Sequence, residues 1–389
     1  MTENYRKTKS VCYSGYVVQA IINNFLPILF IVFRKSYGIG YEQLGRLVLV
    51  NFAVQIGADV VTPFVTRKIG YRFTAVMSQA VAAVGLLLIA VLPKVMTPYS
   101  AIMCSIVVYA FGSGMMEVIL SPLVELLPSG NKGANMAFLH SFYCWGQAFT
   151  VLGTTAMVFL FGYGGWQYIP LIWAIIPICN ALLFMRVPIV EPKPETEQKP
   201  AKDIFKRREI VFFAVFMSCA GCSEIAMAQW ASVFAQQGLG VNKVIGDLLG
   251  PCAFAIFMGT GRIIYGAFSG RYSVRKALII NNILCLLCYL TVGLTHQPFL
   301  SLIACALCGF SVSLSWPGTL SMAAAAFPDG GTVMFGFFAF CGDLGCSVGP
   351  WLVGLLADRI GLQNGFLFCA MFPLIMIITS ILLPRHFDT

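Results

Sequence analysis

The sequence predicts an all-α membrane protein: twelve transmembrane helices arranged as two pseudo-symmetric six-helix bundles. Three observations predict it. Of 389 residues, 58% are hydrophobic and only 11% charged. A hydrocarbon core about 30 Å thick takes roughly 20 apolar residues per helical crossing, and a helix satisfies its own backbone amides away from water. Apolar stretches of that length fill nearly the whole chain, broken only by short turns and one charged segment, Arg186 to Arg208. Finally, a pattern in the first half returns about 200 residues later, as expected of an internal repeat.

The elements follow in order. Met1 to Ser10 is polar and basic, with no small-residue cleavage site after it, so the first span, 11–34, is expected to stay in the mature protein. Spans at 41–66 and 72–92 flank Arg67, Lys68 and Arg72; those at 97–127 and 134–162 flank Pro128-Ser129-Gly130. A sixth span, 166–187, completes the first bundle, residues 1–190. The segment 191–208 is too rich in Pro and charge to cross a membrane and reads as a cytoplasmic linker. Spans at 209–236, 243–269, 275–295, 298–327, 332–358 and 362–384 form the second bundle, 209–389. The 37 glycines, with Met and Phe throughout, suit helices that approach closely in lipid.

The net charge of +9 would fit a nucleic-acid partner only if it formed a surface. Instead Lys and Arg cluster in alternate loops: Arg6, Arg67, Lys68, Arg72, the linker, Arg271, Arg275 and Lys276 share one side. The positive-inside rule makes that side cytoplasmic, with both termini, in a multi-pass cell (inner) membrane protein that has no basic face for nucleic acid. The fourteen cysteines fall in or beside spans and read as soft packing residues. Cys219/Cys222, Cys285/Cys288 and Cys305/Cys308 have a metal-motif gap, but on a helix that gap only puts two thiols on one face, and no His cluster joins them. No metal or cofactor is expected.

The bundles echo one another. Tyr109-Ala-Phe-Gly112 through Pro122 to Gly130 parallels Cys308-Gly309 through Pro317 to Gly330, and Gly146 parallels Gly345. Two such repeats with a central solute site suit alternating access.

The residues carry a resemblance as well. Pro63-Phe-Val-Thr-Arg67-Lys68-Ile-Gly70-Tyr-Arg72 is similar to the G-x-L-A-D-R-x-G-R-K loop of the major facilitator superfamily, without its first Gly and its Asp. Gly266 to Lys276 is a looser copy, and Gly354-Leu-Leu-Ala-Asp358-Arg359-Ile-Gly361 a cleaner one at the opposite side. The resemblance covers essentially the full length and implies the major facilitator fold. In that family the motif's acid makes a helix-end contact that steadies a gate. More closely, Glu117-Val-Ile-Leu-Ser121-Pro122, His140-Ser141-Phe142 and Asn23-Asn24-Phe25-Leu26-Pro27 resemble motifs of the L-fucose:proton symporter branch, with Asn23 where that branch carries an acid. Ser223-Glu224 with Trp230, and Gly261-Arg262, are also similar to sugar carriers.

An intramembrane carboxylate costs at least about 2.5–3.5 kcal/mol, so each needs a partner, water or a proton. Glu117 stands about 10 residues, or roughly 15 Å, into its span and is the candidate for proton coupling; a fixed interhelical bond is the alternative. Glu224 is a candidate solute contact, with structural pairing the alternative. Arg262 and Asp343 are expected to neutralise one another or to meet the solute, and Asp59, nearer the cytoplasmic end, to contact a gate. Gln19, Asn23, Asn24, His140 and Gln147 offer paired donors and acceptors, and Trp145, Trp230 and Trp316 flat faces, for a hydroxylated solute; for each Trp taken alone, interhelical packing or an interface anchor is the alternative. Ser311, Ser313 and Ser315 read as close-packing residues.

No ATP-binding loop, H-E-x-x-H or G-x-S-x-G motif is present, so no enzyme is expected and energy must come from gradients. The expected function is secondary transport of a sugar or similar small polar solute, with protons, by a monomer. An exporter of organic cations or drugs by proton antiport, or a non-transporting receptor on the same fold, are the alternatives.

Overall fold

The computed structural model describes residues 3–127, 132–190, 207–268, 273–327 and 331–382. Most of the linker, residues 191–206, lies outside them, as do Pro128 to Gly130, Pro328 to Gly330 and Arg271 of the sequence motifs.

Among the described residues, ten helices are long and apolar enough to cross a membrane, and a bent pair, Tyr5–Ile28 with Phe30–Tyr37, adds one more at a 42° break. One of the ten, Tyr41–Lys94, has 54 residues. At 1.5 Å per residue it is about 80 Å long, far more than one crossing. Gly70 divides it, with φ 80° and ψ 162°, a conformation an L side chain resists. With that helix counted as two crossings, all twelve expected spans are present.

The helices are α1 (Glu3–Ile28), α2 (Phe30–Tyr37), α3 (Tyr41–Val91), α4 (Pro98–Leu126), α5 (Lys132–Phe161) and α6 (Tyr168–Arg186) in the first half. The second half holds α7 (Glu209–Val233), α8 (Lys243–Asp247), α9 (Ala253–Phe268), α10 (Val274–Leu294), α11 (Pro298–Val312), α12 (Ser315–Ala326), α13 (Gly331–Ile360), α14 (Leu362–Cys369) and α15 (Met371–Leu382). The span expected at 298–327 is broken at Ser313 and Leu314, and that at 362–384 at Ala370. Prolines explain both: Pro317 and Pro373 lack the amide that would bond four residues back, at Ser313 and Cys369.

The chain divides into two compact units, Met1–Gly40 with Val50–Pro194, and Tyr41–Leu49 with Glu195–Thr389. The first turns of α3 thus pack with the second half of the sequence, which no periodicity in the sequence reveals.

Within the first unit α1 packs on α4, α5 and α6; within the second, α7 and α13 share the most extensive contact. Small residues set both. A Cβ on Gly146 would stand 2.9 Å from the Ala20 Cβ of α1, and one on Gly345 only 1.9 Å from the Ser218 carbonyl of α7. The fifth span therefore presses on the first as the eleventh does on the seventh, and the glycines paired by the sequence do the same work. In lipid, where apolar burial gives helices no special attraction, such close approach supplies the packing.

The halves also share a helix-end device. Arg72 Nη1 donates to the carbonyls of Phe184 and Met185 (3.1 and 3.0 Å) at the end of α6. Arg275 donates through Nε and Nη2 to Ser380 and Ile381 (both 2.8 Å) at the end of α15. A cation suits the negative end of the helix dipole and the carbonyls left open there.

Candidate functional site

A polar ladder runs through the first unit. Helical spacing of four aligns Asn51, Gln55 and Asp59 on α3, and Ser113, Glu117 and Ser121 on α4, while Tyr16, Gln19 and Asn23 share a face of α1. Asn23 Oδ1 accepts from Asn51 Nδ2 (3.1 Å) and Gln55 Nε2 (2.9 Å). Ser113 Oγ donates to Gln55 Oε1 (3.1 Å). Gln19 Nε2 donates to Glu117 Oε2 (2.8 Å), and the hydroxyls of Tyr16 and Ser121 are 2.8 Å apart. Asn51, Gln55 and Ser113 were not singled out in the sequence; the available signal was helical spacing, Asn51 and Gln55 standing eight and four residues before Asp59 and Ser113 four before Glu117.

Other expected solute contacts surround this ladder unevenly. Asn24 Nδ2 donates to the Ala20 carbonyl (2.9 Å) and reaches the Tyr143 hydroxyl at 3.4 Å. The His140 ring meets that of Tyr16 edge-on at 5.2 Å. Gln147 is buried beside the Gly146 contact. Trp145 is 43% exposed and shares its face with the exposed Phe149 and Leu152, so it does not join the buried polar set.

In the second unit Arg262 Nη2 lies 3.8 Å from Glu224 Oε1, both largely buried. That is an ion pair but too long for a hydrogen bond. The sequence offered Asp343 as the partner of Arg262 and gave Glu224 a structural pairing without naming its partner; α7 brings Glu224 to the level of Arg262. Asp343 is buried on α13; Trp316 packs against the neighbouring Gly342, where a Cβ would stand 2.3 Å from its ring. Trp230 is fully enclosed: its Nε1 donates to the Pro350 carbonyl (2.8 Å) and its ring meets Tyr41 at 5.8 Å. No face of it is open to a solute, and its place is in helix packing rather than ring stacking.

The cleaner motif copy does make the expected helix-end contact. Asp358 Oδ1 and Oδ2 accept from the backbone amides of Tyr41 (3.0 Å) and Glu42 (2.7 Å), the open N-terminus of α3. Glu42 in turn pairs with Arg46 at 2.7 Å. A carboxylate bound to two such amides gains from both hydrogen bonding and the helix dipole. Asp358→Ala is expected to lower stability by about 1 kcal/mol, and Asp358→Asn by less, since an amide oxygen still accepts; melting of the purified protein in detergent checks the ranking.

Sequence reasoning missed another buried acid. Asp247, wholly enclosed on α8, accepts from Lys243 Nζ (2.8 Å) and from the Ser232 hydroxyl. Turns of π-helix at Phe234–Gly238 and Leu248–Cys252 flank it. The thiols behave as packing groups, all but Cys104 and Cys179 being buried; Cys285 and Cys308 face one another across α10 and α11 with sulfurs 4.0 Å apart. A Cβ on Gly261 would stand 2.3 Å from Ser313 Oγ, which fits the close-packing role expected of that serine.

The model of the Major Facilitator Superfamily matches residues 12–252 and 248–388. Membrane protein MosC of Rhizobium meliloti is 24% identical over 363 residues, 91% of this chain and 84% of MosC. Among solved structures, a D-xylose-proton symporter superposes with a TM-score of 0.83 at 11% identity, over 98% of each chain. The E. coli fucose:proton symporter FucP gives 0.68 at 15% identity over 98% of this chain and 100% of its own. A bacterial homologue of the human lysosomal transporter Spinster, inward-facing and occupied, gives 0.81 at 11% identity over 100% and 99%. At such identities the likeness to solved structures shows the fold.

Proposed function

We propose, from the premise that this chain belongs to the major facilitator superfamily, that it carries a sugar or similar small hydroxylated solute across the membrane together with a proton, by alternating access. The transporter class follows from the family; the solute and the coupling are our reading. One observation supports that reading most: Glu117 sits inside a membrane helix as one rung of a side-chain ladder, held by the neutral amide of Gln19 and, among the described residues, by no salt bridge. A carboxyl that has a neutral donor but no cation can be protonated and deprotonated without breaking an ion pair. The fucose and xylose carriers that share the fold are named as proton symporters, which favours the same coupling here.

In this reading Glu117 carries the proton. Gln19 orients it, and the Asn23–Gln55–Ser113 chain fixes α1, α3 and α4 around it. Asn24, His140 and Gln147 offer hydroxyl-binding groups in the first unit, and Glu224, Arg262 and Trp316 charged and aromatic groups in the second. Both termini face the cytoplasm, on the charge argument. The test is counterflow of labelled monosaccharides in proteoliposomes of the purified protein, with tetraphenylphosphonium as a lipophilic cation in parallel. Saturable monosaccharide exchange supports the proposal. Exchange of the cation alone would assign the chain to export of organic cations, and binding without exchange to a receptor.

A further inference from the structure

Asp59 brings a second carboxyl into the ladder. Gln55 and Ser113 are hydrogen-bonded across α3 and α4, and Gly114 lets the two helices close until a Cβ there would stand 2.7 Å from the Gln55 carbonyl oxygen and 2.8 Å from the Ala58 Cβ. The second and fourth crossings run in the same direction. Asp59 follows Gln55 by four residues and Glu117 follows Ser113 by four, so one turn beyond the hydrogen bond the two acids stand opposite one another.

This place is short of donors and of positive charge. Asp59 Oδ1 is enclosed without a hydrogen-bond partner. Gln19 is 4% exposed; its amide nitrogen donates to Glu117, while its Oε1 is enclosed without a partner. Among the described residues no Lys, Arg or His lies within salt-bridge distance of either acid. The other titratable groups around the pair are the Tyr16 hydroxyl of α1, bonded to Ser121, and His140 of α5, against the Tyr16 ring. Two half-buried acids with no cation among the described residues, beside two enclosed acceptors without donors, lack one thing: a proton on a carboxyl oxygen, which removes one negative charge and creates one donor.

We propose that Asp59 and Glu117 form a single carboxyl pair that binds the transported proton jointly, Asp59 being the second group of the coupling site. The proposal rests on the reading of Glu117 as the coupling residue and extends it to α3. On loading, one carboxylate oxygen of the pair takes a proton from water and the charge of the pair falls by one. On release the same O–H bond breaks, water takes the proton, and the electron pair stays on the carboxylate. The pair titrates as a unit, so each acid sets the proton affinity of the other. Asp59 also supplies on α3 the second acid that Asn23 does not supply on α1.

The experiment is infrared titration of the protonated-carboxyl band in the full-length protein in liposomes, for wild type, Asp59→Asn, Glu117→Gln and Asp59→Glu. Removing either acid removes a like charge, so the remaining one should lose its proton at a proton concentration at least about tenfold higher than in wild type. Linkage makes the coupling between the two acids the same in both directions, and Asp59→Glu should restore the wild-type midpoint. A packing role for Asp59 predicts altered melting with no such shift. Midpoints within about twofold of wild type in both single variants overturn the pair; should Asp59→Asn fail to fold, the Asp59 band in Glu117→Gln decides alone. A midpoint that moves when sodium replaces choline assigns the pair to sodium and overturns the proton assignment. Accumulation of labelled L-fucose or D-xylose by Glu117→Gln at wild-type level would instead defeat the coupling role of Glu117 itself, a failure distinct from uncoupled titrations in a chain that does need Glu117.

Discussion

Glu117→Gln is expected to abolish solute accumulation driven by a pH gradient while leaving solute exchange intact. The amide matches the carboxylic acid in shape, and its oxygen can still accept from Gln19 Nε2, which now bonds Glu117 Oε2 at 2.8 Å. It cannot release a proton, so the loaded form is mimicked permanently. Exchange moves no net proton and needs only that form. Accumulation needs the cycle: a gradient of one pH unit is worth about 1.4 kcal/mol per proton, or about tenfold in solute concentration at one proton per solute. That tenfold should fall to equilibration in the variant. Labelled monosaccharide uptake into proteoliposomes, with and without an imposed gradient, measures both quantities on one preparation. Wild-type accumulation would exclude Glu117 and turn attention to Glu224, which is paired with Arg262.

The fold was legible in the sequence because lipid imposes one requirement on every span, and twelve apolar stretches of crossing length meet it. The repeat was legible through its glycines: Gly146 and Gly345 each hold a helix contact too close for any side chain. The acid of the cleaner motif copy was legible too, since the resemblance expects a helix-end contact and Asp358 makes one with Tyr41 and Glu42. Pairing was not legible. Which acid meets Arg262 depends on the rotation of α7, α9 and α13 about their axes, and apolar residues on all sides of a lipid-embedded helix leave that rotation unmarked. For the same reason Trp230 reads as an open aromatic face until the packing of Tyr41 and Gly354 against it is known. The ladder stood between these cases. Asn51, Gln55 and Asp59 share a face by their spacing alone, but that this face meets Ser113 and Glu117 required the contact at Gly114.

The arginine pairing gives the other large expected effect. Arg262 on α9 faces Glu224 on α7 at 3.8 Å, in a unit that also buries Asp343. Removing one partner of a buried ion pair leaves an uncompensated charge and costs roughly 3–5 kcal/mol, whereas removing both often costs far less. Arg262→Gln should therefore lower the folded yield sharply, because it leaves the buried Glu224 without the cation now paired with it. Glu224→Gln should cost less, and Arg262→Gln combined with Glu224→Gln should recover much of the yield lost by the arginine change alone. The combination of Arg262→Gln with Asp343→Asn is the discriminating control: if Glu224 holds the arginine, this second combination recovers less than the first. Size-exclusion profiles of fluorescently tagged variants rank all four. A double change at Arg262 and Glu224 that folds no better than Arg262→Gln alone would break the pairing, and a larger recovery with Asp343→Asn would transfer it to α13. The distinction bears on transport as well, since an arginine held by α7 ties α9 to the helix that carries Glu224, whereas one held by α13 leaves Glu224 without its counter-charge and so available to a proton or a cationic solute.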